Sequence, residues 1–291
     1  MIKNKLVRLT SSIHNTPHLM TSKSLDLILD YLYSRNQNGI QMLMPMGGEQ
    51  EDDSEDEPDD MDDFDESPLP IVVIEVCGTL TYRSVETMCG EVGTSYKGLE
   101  EQVEDAIEMG ETTILMNFNS GGGEAAHVFE CCENIRTMCD EAGVSLIGYI
   151  EDMACSADYA IAVICDELYI NPSACSGSIG CVISLLDTSK AMENEGYKRI
   201  YITSGKNKVP FAEDGSFKKE FLDRLQEDVD KLNTQFCDHV AKYAGIDSKI
   251  IRGFEAEVFD AEDSLKNGLV NGIMTNKEFV KYIVDKTKGS M

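Results

Sequence analysis

The chain has 291 residues, 42% of them hydrophobic, with 53 acidic and 25 basic side chains and a formal charge of −28. That length and apolar content fit one large folded domain or two modest ones, and the acidity argues against nucleic acid or an anionic membrane as main partner, because phosphate binding relies on clustered Lys and Arg. The start, "MIKNKLVRLTSS", lacks a signal-peptide-like apolar segment, no stretch approaches the roughly 20 apolar residues of a membrane span, and ten cysteines without a CxxC pair read as reduced thiols in a cytoplasmic setting.

In chain order, residues 1–46 hold one amphipathic candidate, "TSKSLDLILDYLYSR", which Thr21 or Ser22 could cap, and are expected to form a small helical arm. Residues 47–68 follow with thirteen acids and no base. Like charges repel there and little apolar surface offsets ordering entropy, so a disordered linker is expected. A solvated spacer is a simpler account of it than a docking tail for a basic partner.

From Leu69 the pattern becomes α/β: strand "PIVVIEVCGTL", helix "YKGLEEQVEDAIEMG", strand "TTILMNF", helix "EAAHVFECCENIRTMCDEAG", strand "SLIGYI". Alternation of this kind predicts parallel crossovers. Two β-like runs, "ELYINP" and "GCVISLL", come next, then a helix near "TSKAMENEG", a strand "KRIYITSG", a long helix from about Ser216 to Ala244, and two short helices around a strand in "FDAEDSLKNGLVNGI" and "NKEFVKYIVDKTK". Cys131, Cys132 and Cys139 fall on a predicted helix without histidine at metal-ligand spacing and read as small core residues; no metal or cofactor is expected.

Three segments could carry chemistry. "NFNSGGGEAAH", Asn117 to His127, places three glycines where a buried strand meets a helix, the end of an open α/β sheet at which ligands approach. Backbone N–H groups there could face an anion, although three glycines also make an ordinary tight connection. In "EDMACSADYAIA", Asp152 could cap a helix that begins with Ser156 near its positive end. Taken alone, the small residues around Ser156 favour close helix packing, and Cys155 reads as a buried small residue before it reads as a rival nucleophile.

A base for Ser156 is scarce among the histidines: His14 and His18 sit in the arm, His239 in the long helix, and His127 on a helix face. A lysine made neutral by burial is the other known solution. Lysine titrates near 10.4 in water and burial can lower it by up to about 3–5 units. "YITSGKNKVPFAEDG" offers Lys206 and Lys208, though a loop lysine is ordinarily a solvated charge.

Read together, "NSGGG", "MACSADY", "SGSIG" and "SGKNK" resemble the signal peptide peptidase A family of serine peptidases, and within it the branch of bacteriophage head-maturation (prohead) proteases. "NTPHLMTSKSLDLILDYL" is similar to the segment that precedes the catalytic domain in phage members, so the likeness spans nearly the whole chain except the acidic run. The resemblance implies a Clp-protease/crotonase-like α/β fold of repeated β-β-α units over 69–291, self-assembly into homo-oligomers, and a Ser-Lys dyad. It assigns Ser156 as nucleophile, Lys208 as general base, Ser178 as the serine orienting the lysine amine, and Gly122 and Gly123 with the Ala157 N–H as the oxyanion hole. Lys206 is the fallback base.

Three departures stand out. Gly121 replaces the family's usual Pro, Asp158 stands where phage relatives tend to have a small residue, and "VPFAEDG" after Lys208 differs from the commoner Gly-x-Pro-Phe continuation. The expected activity is endoproteolysis of scaffold, capsid or portal-associated proteins during phage head assembly, in the host cytoplasm or prohead interior. The alternatives are a bacterial signal-peptide-peptidase-like protease, a crotonase-like acyl-CoA enzyme, and a catalytically inactive assembly factor.

Overall fold

The computed structural model describes residues 18–21, 71–84, 86–87, 90–91, 93–198 and 200–289. The predicted arm helix and the acidic run lie outside these residues. Within them the chain is mixed α/β around a mostly parallel sheet.

The first described element is β1 (His18–Met20), followed by β2 (Ile71–Cys77) and a small hairpin, β3 (Glu86–Thr87) and β4 (Gly90–Glu91). Helix α1 (Tyr96–Glu108) begins at Ser95, whose side chain accepts the Gly98 N–H, and buries Tyr96, Leu99, Val103 and Ala106 at the three- and four-residue spacing of one helix face. Next come β5 (Thr113–Ser120), β6 (Gly122–Glu124) and α2 (Val128–Ala142), which ends on Gly143 in the left-handed conformation. The helix expected from Glu124 thus begins only at Val128, because Gly122–Glu124 continues as a short strand.

Strand β7 (Ser145–Cys155) runs five residues beyond the predicted "SLIGYI" and leads into α3 (Ala157–Ala162), β8 (Glu167–Ile170) and β9 (Cys175–Gly177). Residues 180–186, read as a strand, form none. Helix α4 (Ser189–Asn194) is followed by residues 200–205, also without the predicted strand. Ile200 and Ile202 are 75% and 98% exposed: their alternation suits a strand, but among the described residues no strand pairs with them. Helix α5 (Lys219–Ala244) buries only Phe236, Cys237, His239 and Val240, near its C-terminal end. The chain closes with α6 (Ser248–Arg252), β10 (Val258–Asp260), α7 (Ala261–Lys266), β11 (Gly272–Ile273) and α8 (Asn276–Gly289).

Strands β2, β5 and β7 pair in parallel. The register between β5 and β7 shifts after Phe118, so that Phe118 faces Ile150 but Asn119 faces Met153. This bulge bends β7 and splits its far edge: Ile147–Ile150 pairs with β8, and Met153–Cys155 pairs with β9. Strand β11 extends the sheet beyond β8 and β10 runs antiparallel to β9. The alternate residues Ile114, Met116, Phe118 and Ser120 of β5 point into the main core with α1, α2 and α3, while Ile147 and Tyr149 pack beneath Phe279 and Ile283 of α8 on the other face.

Helix α3 is held at the centre. The Tyr159 hydroxyl donates to Leu269 O at 2.8 Å, and Ala160 O accepts from His239 Nε2 at 2.8 Å and from Cys132 Sγ at 3.2 Å. Burial lowers the His239 pKa, favouring the neutral ring that makes this bond. The unfolded chain therefore takes up a proton near pH 6.5 that the folded one resists, and the contribution of His239 to stability falls as pH drops below about 6.5. In thermal melts the melting temperature of wild type relative to His239→Gln, which keeps a donor but does not titrate, is expected to decline between pH 7.5 and 5.

Candidate functional site

Strand β7 delivers Ser156 at a sharp strand-to-helix turn. The backbone there has φ 59 and ψ −119, a conformation that costs a non-glycine residue about 1–3 kcal/mol and persists only where its surroundings impose it. Here they do. The Ser156 N–H donates to Gly177 O at 2.9 Å, Ser156 O accepts the Ala160 N–H at 3.0 Å, and Ser156 Oγ donates weakly to Gly180 O at 3.4 Å. Ser156 is the residue preceding α3, so it occupies the cap position expected for Asp152, and Met153–Cys155 belongs to the strand. Ala154, Cys155, Ala157 and Ala160 are all buried, which explains their small size by packing as well.

The same turn gathers Ser178. Gly177 and Gly180, bonded to Ser156, flank it; the Ser178 N–H donates to Glu257 O at 2.8 Å, and Ser178 is itself left-handed at φ 52. On the other side lies β6. A Cβ on Gly122 would meet Leu19 O at 2.1 Å and Cys155 O at 3.0 Å, and one on Gly123 would meet Leu80 O at 1.9 Å. Both positions are glycine because backbone closes in on them. The Gly122 N–H donates to Ser120 Oγ at 3.0 Å, and that hydroxyl donates to Gly78 O at 2.5 Å. Ala157 opens α3, and amides in a first helical turn have no intrahelical acceptor. Ser156, Ser178, Gly122, Gly123 and Ala157 therefore share one location at the carboxyl ends of β5, β7 and β9.

Lys206 and Lys208 are not joined to them. Both are exposed and neither hydrogen-bonds Ser156. Their turn is closed by the Lys208 N–H on Gly205 O at 3.1 Å and clasped by Lys218, whose Nζ donates to Lys206 O at 3.1 Å and Val209 O at 2.9 Å. Lys218 was not legible from the sequence, where it is one more lysine ahead of a long helix.

The other candidates resolve as structural. His127 Nδ1 pairs with Glu130 Oε2 at 2.8 Å and its ring stacks on Tyr82 with centroids 3.9 Å apart. Cys131, Cys132 and Cys139 are buried, and burial raises each thiol. The Cys175 thiol beside it, together with burial, holds Cys155 far above the usual thiol range, so it is no nucleophile at neutral pH. Among the described residues no group of three or more His, Cys, Asp or Glu could hold a metal, and no helix is long and apolar enough to cross a membrane.

Asp158 is the anomaly. It is fully buried two residues after Ser156, neither carboxyl oxygen has a hydrogen-bond partner, and burial raises its pKa well above the carboxylate range against the opposing influence of the Ser120 N–H. The folded chain keeps a proton that the unfolded chain releases near pH 3.9, so stability falls as pH rises above about 4. Asp158→Asn, which cannot ionise, is expected to melt at least about 3 °C above wild type at pH 8, with the gap closing toward pH 4. Thermal melts across that range check it.

The chain is 26% identical over 214 residues to the head-tail preconnector protein GP5 of Enterobacteria phage P21, covering 73% of this chain and 42% of that protein. It is 25% identical over 219 residues to the capsid assembly protease C of Escherichia phage lambda, covering 74% of this chain and 49% of that one. The chain thus spans less than half the length of these relatives. Residues 140–288, which carry Ser156, Ser178 and Lys208, match the profile of Peptidase family S49, and the chain belongs to that family.

Proposed function

We propose that this chain is a serine endopeptidase working through a Ser156–Lys208 dyad and cleaving scaffold or capsid-associated proteins during phage head maturation. The observation that carries the proposal is the strained, fully buried Ser156 at a strand–turn–helix junction, beside a glycine strand and at the N-terminus of α3. Strain placed at a serine rather than a glycine points to a demand on that side chain. Family membership and the capsid assembly protease among the relatives support the substrate class. We assign residues 69–291 to a Clp-protease/crotonase-like catalytic domain, residues 1–46 to the arm and 47–68 to an acidic linker, in a chain acting in the host cytoplasm or the prohead interior.

In the proposed reaction Ser156 Oγ attacks a peptide carbonyl while the neutral Lys208 amine takes its proton and returns it to the leaving amine; Ser178 orients that amine. Gly122, Gly123 and Ala157 supply N–H groups to the oxyanion, and loss of one such donor typically costs about 10²–10³ in turnover. The base must come out of water, whereas Lys208 is exposed in the single chain. Self-assembly answers this need: Leu186, Tyr197, Ile200, Ile202 and Leu222, around the lysine turn and along the start of α5, expose apolar surface that a second copy would cover.

Incubation with scaffold and capsid proteins followed by mapping of new termini tests the activity. Ser156→Ala and Lys208→Met are each expected to reduce cleavage by about 10⁴-fold or more, and Lys206→Met by less than about tenfold; equal loss at the two lysines would refute the choice of base, and cleavage by Ser156→Ala would refute the mechanism. Ile202→Asp is expected to lower both the sedimenting mass and the activity, measured by analytical ultracentrifugation beside the cleavage assay.

A further inference from the structure

The edge of β6 that borders Ser156 is not open. Strand β1 lies on it antiparallel, with His18 opposite Glu124, Leu19 opposite Gly123 and Met20 opposite Gly122, and the Thr21 N–H donates to Gly121 O at 2.9 Å. Because bonded and non-bonded pairs alternate along an antiparallel ladder, the bond at Thr21 makes Leu19 and Gly123 a bonded pair, which turns the Gly123 N–H toward Leu19 O. The Gly122 N–H is held by Ser120 Oγ. Both glycine amides nominated for the oxyanion are therefore engaged. The opposite edge of β6 is also used, since the Leu80 N–H donates to Gly122 O at 3.1 Å and the Glu124 N–H to Leu80 O at 2.9 Å.

An extended peptide delivered to Ser156 needs a strand edge beside it, and the commonest way to gain one is to add itself to an exposed sheet edge. The edge that meets this need, so close to the strand before Ser156 that a Cβ on Gly122 would lie 3.0 Å from Cys155 O, is the one β1 covers. We infer that His18–Met20 is an internal occupant of the strand position that a substrate peptide takes, so that the chain competes with its own substrate for β6. The inference rests on the peptidase function proposed above and adds its regulation. Leu19 is fully buried and Met20 nearly so, so a displacing peptide must present apolar side chains in the same two places. The acidic run lies between Thr21 and Ile71. Because β1 belongs to the same chain as the site, it is present there at an effective concentration on the order of millimolar, enough to block weak peptides and yield to a protein substrate bound elsewhere as well.

The test uses the full chain in the Ser156→Ala background, alone and combined with Leu19→Asp, which sets a charge in a buried apolar place, or with Thr21→Pro, which removes the N–H given to Gly121. The probe is a fluorescein-labelled peptide of residues 15–22, read by anisotropy, with thermal melts alongside. Peptide affinity is expected to rise about tenfold when either change vacates the edge, and the active counterparts are expected to show a lower KM with kcat retained. Equal affinity in all three forms, or loss of the folded transition in both substituted forms, would overturn the inference and make β1 an ordinary structural strand. Binding does not require turnover. If the peptide binds the vacated forms but no Ser156 form cleaves protein, the function fails while the occupancy stands; if Ser156-dependent cleavage occurs and neither change alters binding, the reverse holds.

Discussion

The pairing of the last turn of β7 with β9 is the constraint on which the site depends. Met153–Cys155 runs parallel to Cys175–Gly177, and the Ser156 N–H reaches across to Gly177 O. That bond holds the serine in a conformation its own backbone would not choose. It is available only because the bulge after Phe118 swings β7 from β8 toward β9. One irregularity in register thus converts a continuous strand into a pedestal, and the residues flanking Ser178 arrive at Ser156 as a consequence.

The helix behind the serine is fixed with equal care. Tyr159, His239 and Cys132 tie α3 to three different elements, so the turn cannot relax by rotating its helix. Asp158 sits in the same layer without a hydrogen-bond partner. A buried carboxyl of this kind is tolerated only as the neutral acid, and it makes the site's foundation sensitive to alkaline conditions.

The surroundings of Ser156, the proposed nucleophile, are built within one chain, whereas Lys208, the proposed base, stands apart from them. Ser156 is sealed from solvent, Lys208 is not, and the segment between β9 and α5 exposes Leu186, Tyr197, Ile200 and Ile202. This asymmetry is what the proposed completion of the site on assembly requires, and the strand laid over β6 is what the inferred competition with substrate requires.

Much was legible from residues alone. Period-two and period-3.6 patterns place β5, α1 and α5 within a few residues of where they lie, because each pattern reflects burial against a neighbour inside the same chain. The same logic misplaces 200–205, whose alternation is real but meets no strand edge among the described residues. The glycine turn, Ser156, Ser178 and the lysine loop were nominated by motif and order. What the sequence determined, then, is which residues are candidates for chemistry and most of the order of strands and helices, since these follow from local periodicity and side-chain chemistry. Tertiary structure alone decided that Ser156 is a strained junction rather than the first turn of a capped helix, that the strand carrying Gly122 and Gly123 is paired with His18–Met20, and that Lys208 faces water. Each of these depends on which backbone edges meet across long sequence separations, and no local pattern encodes that.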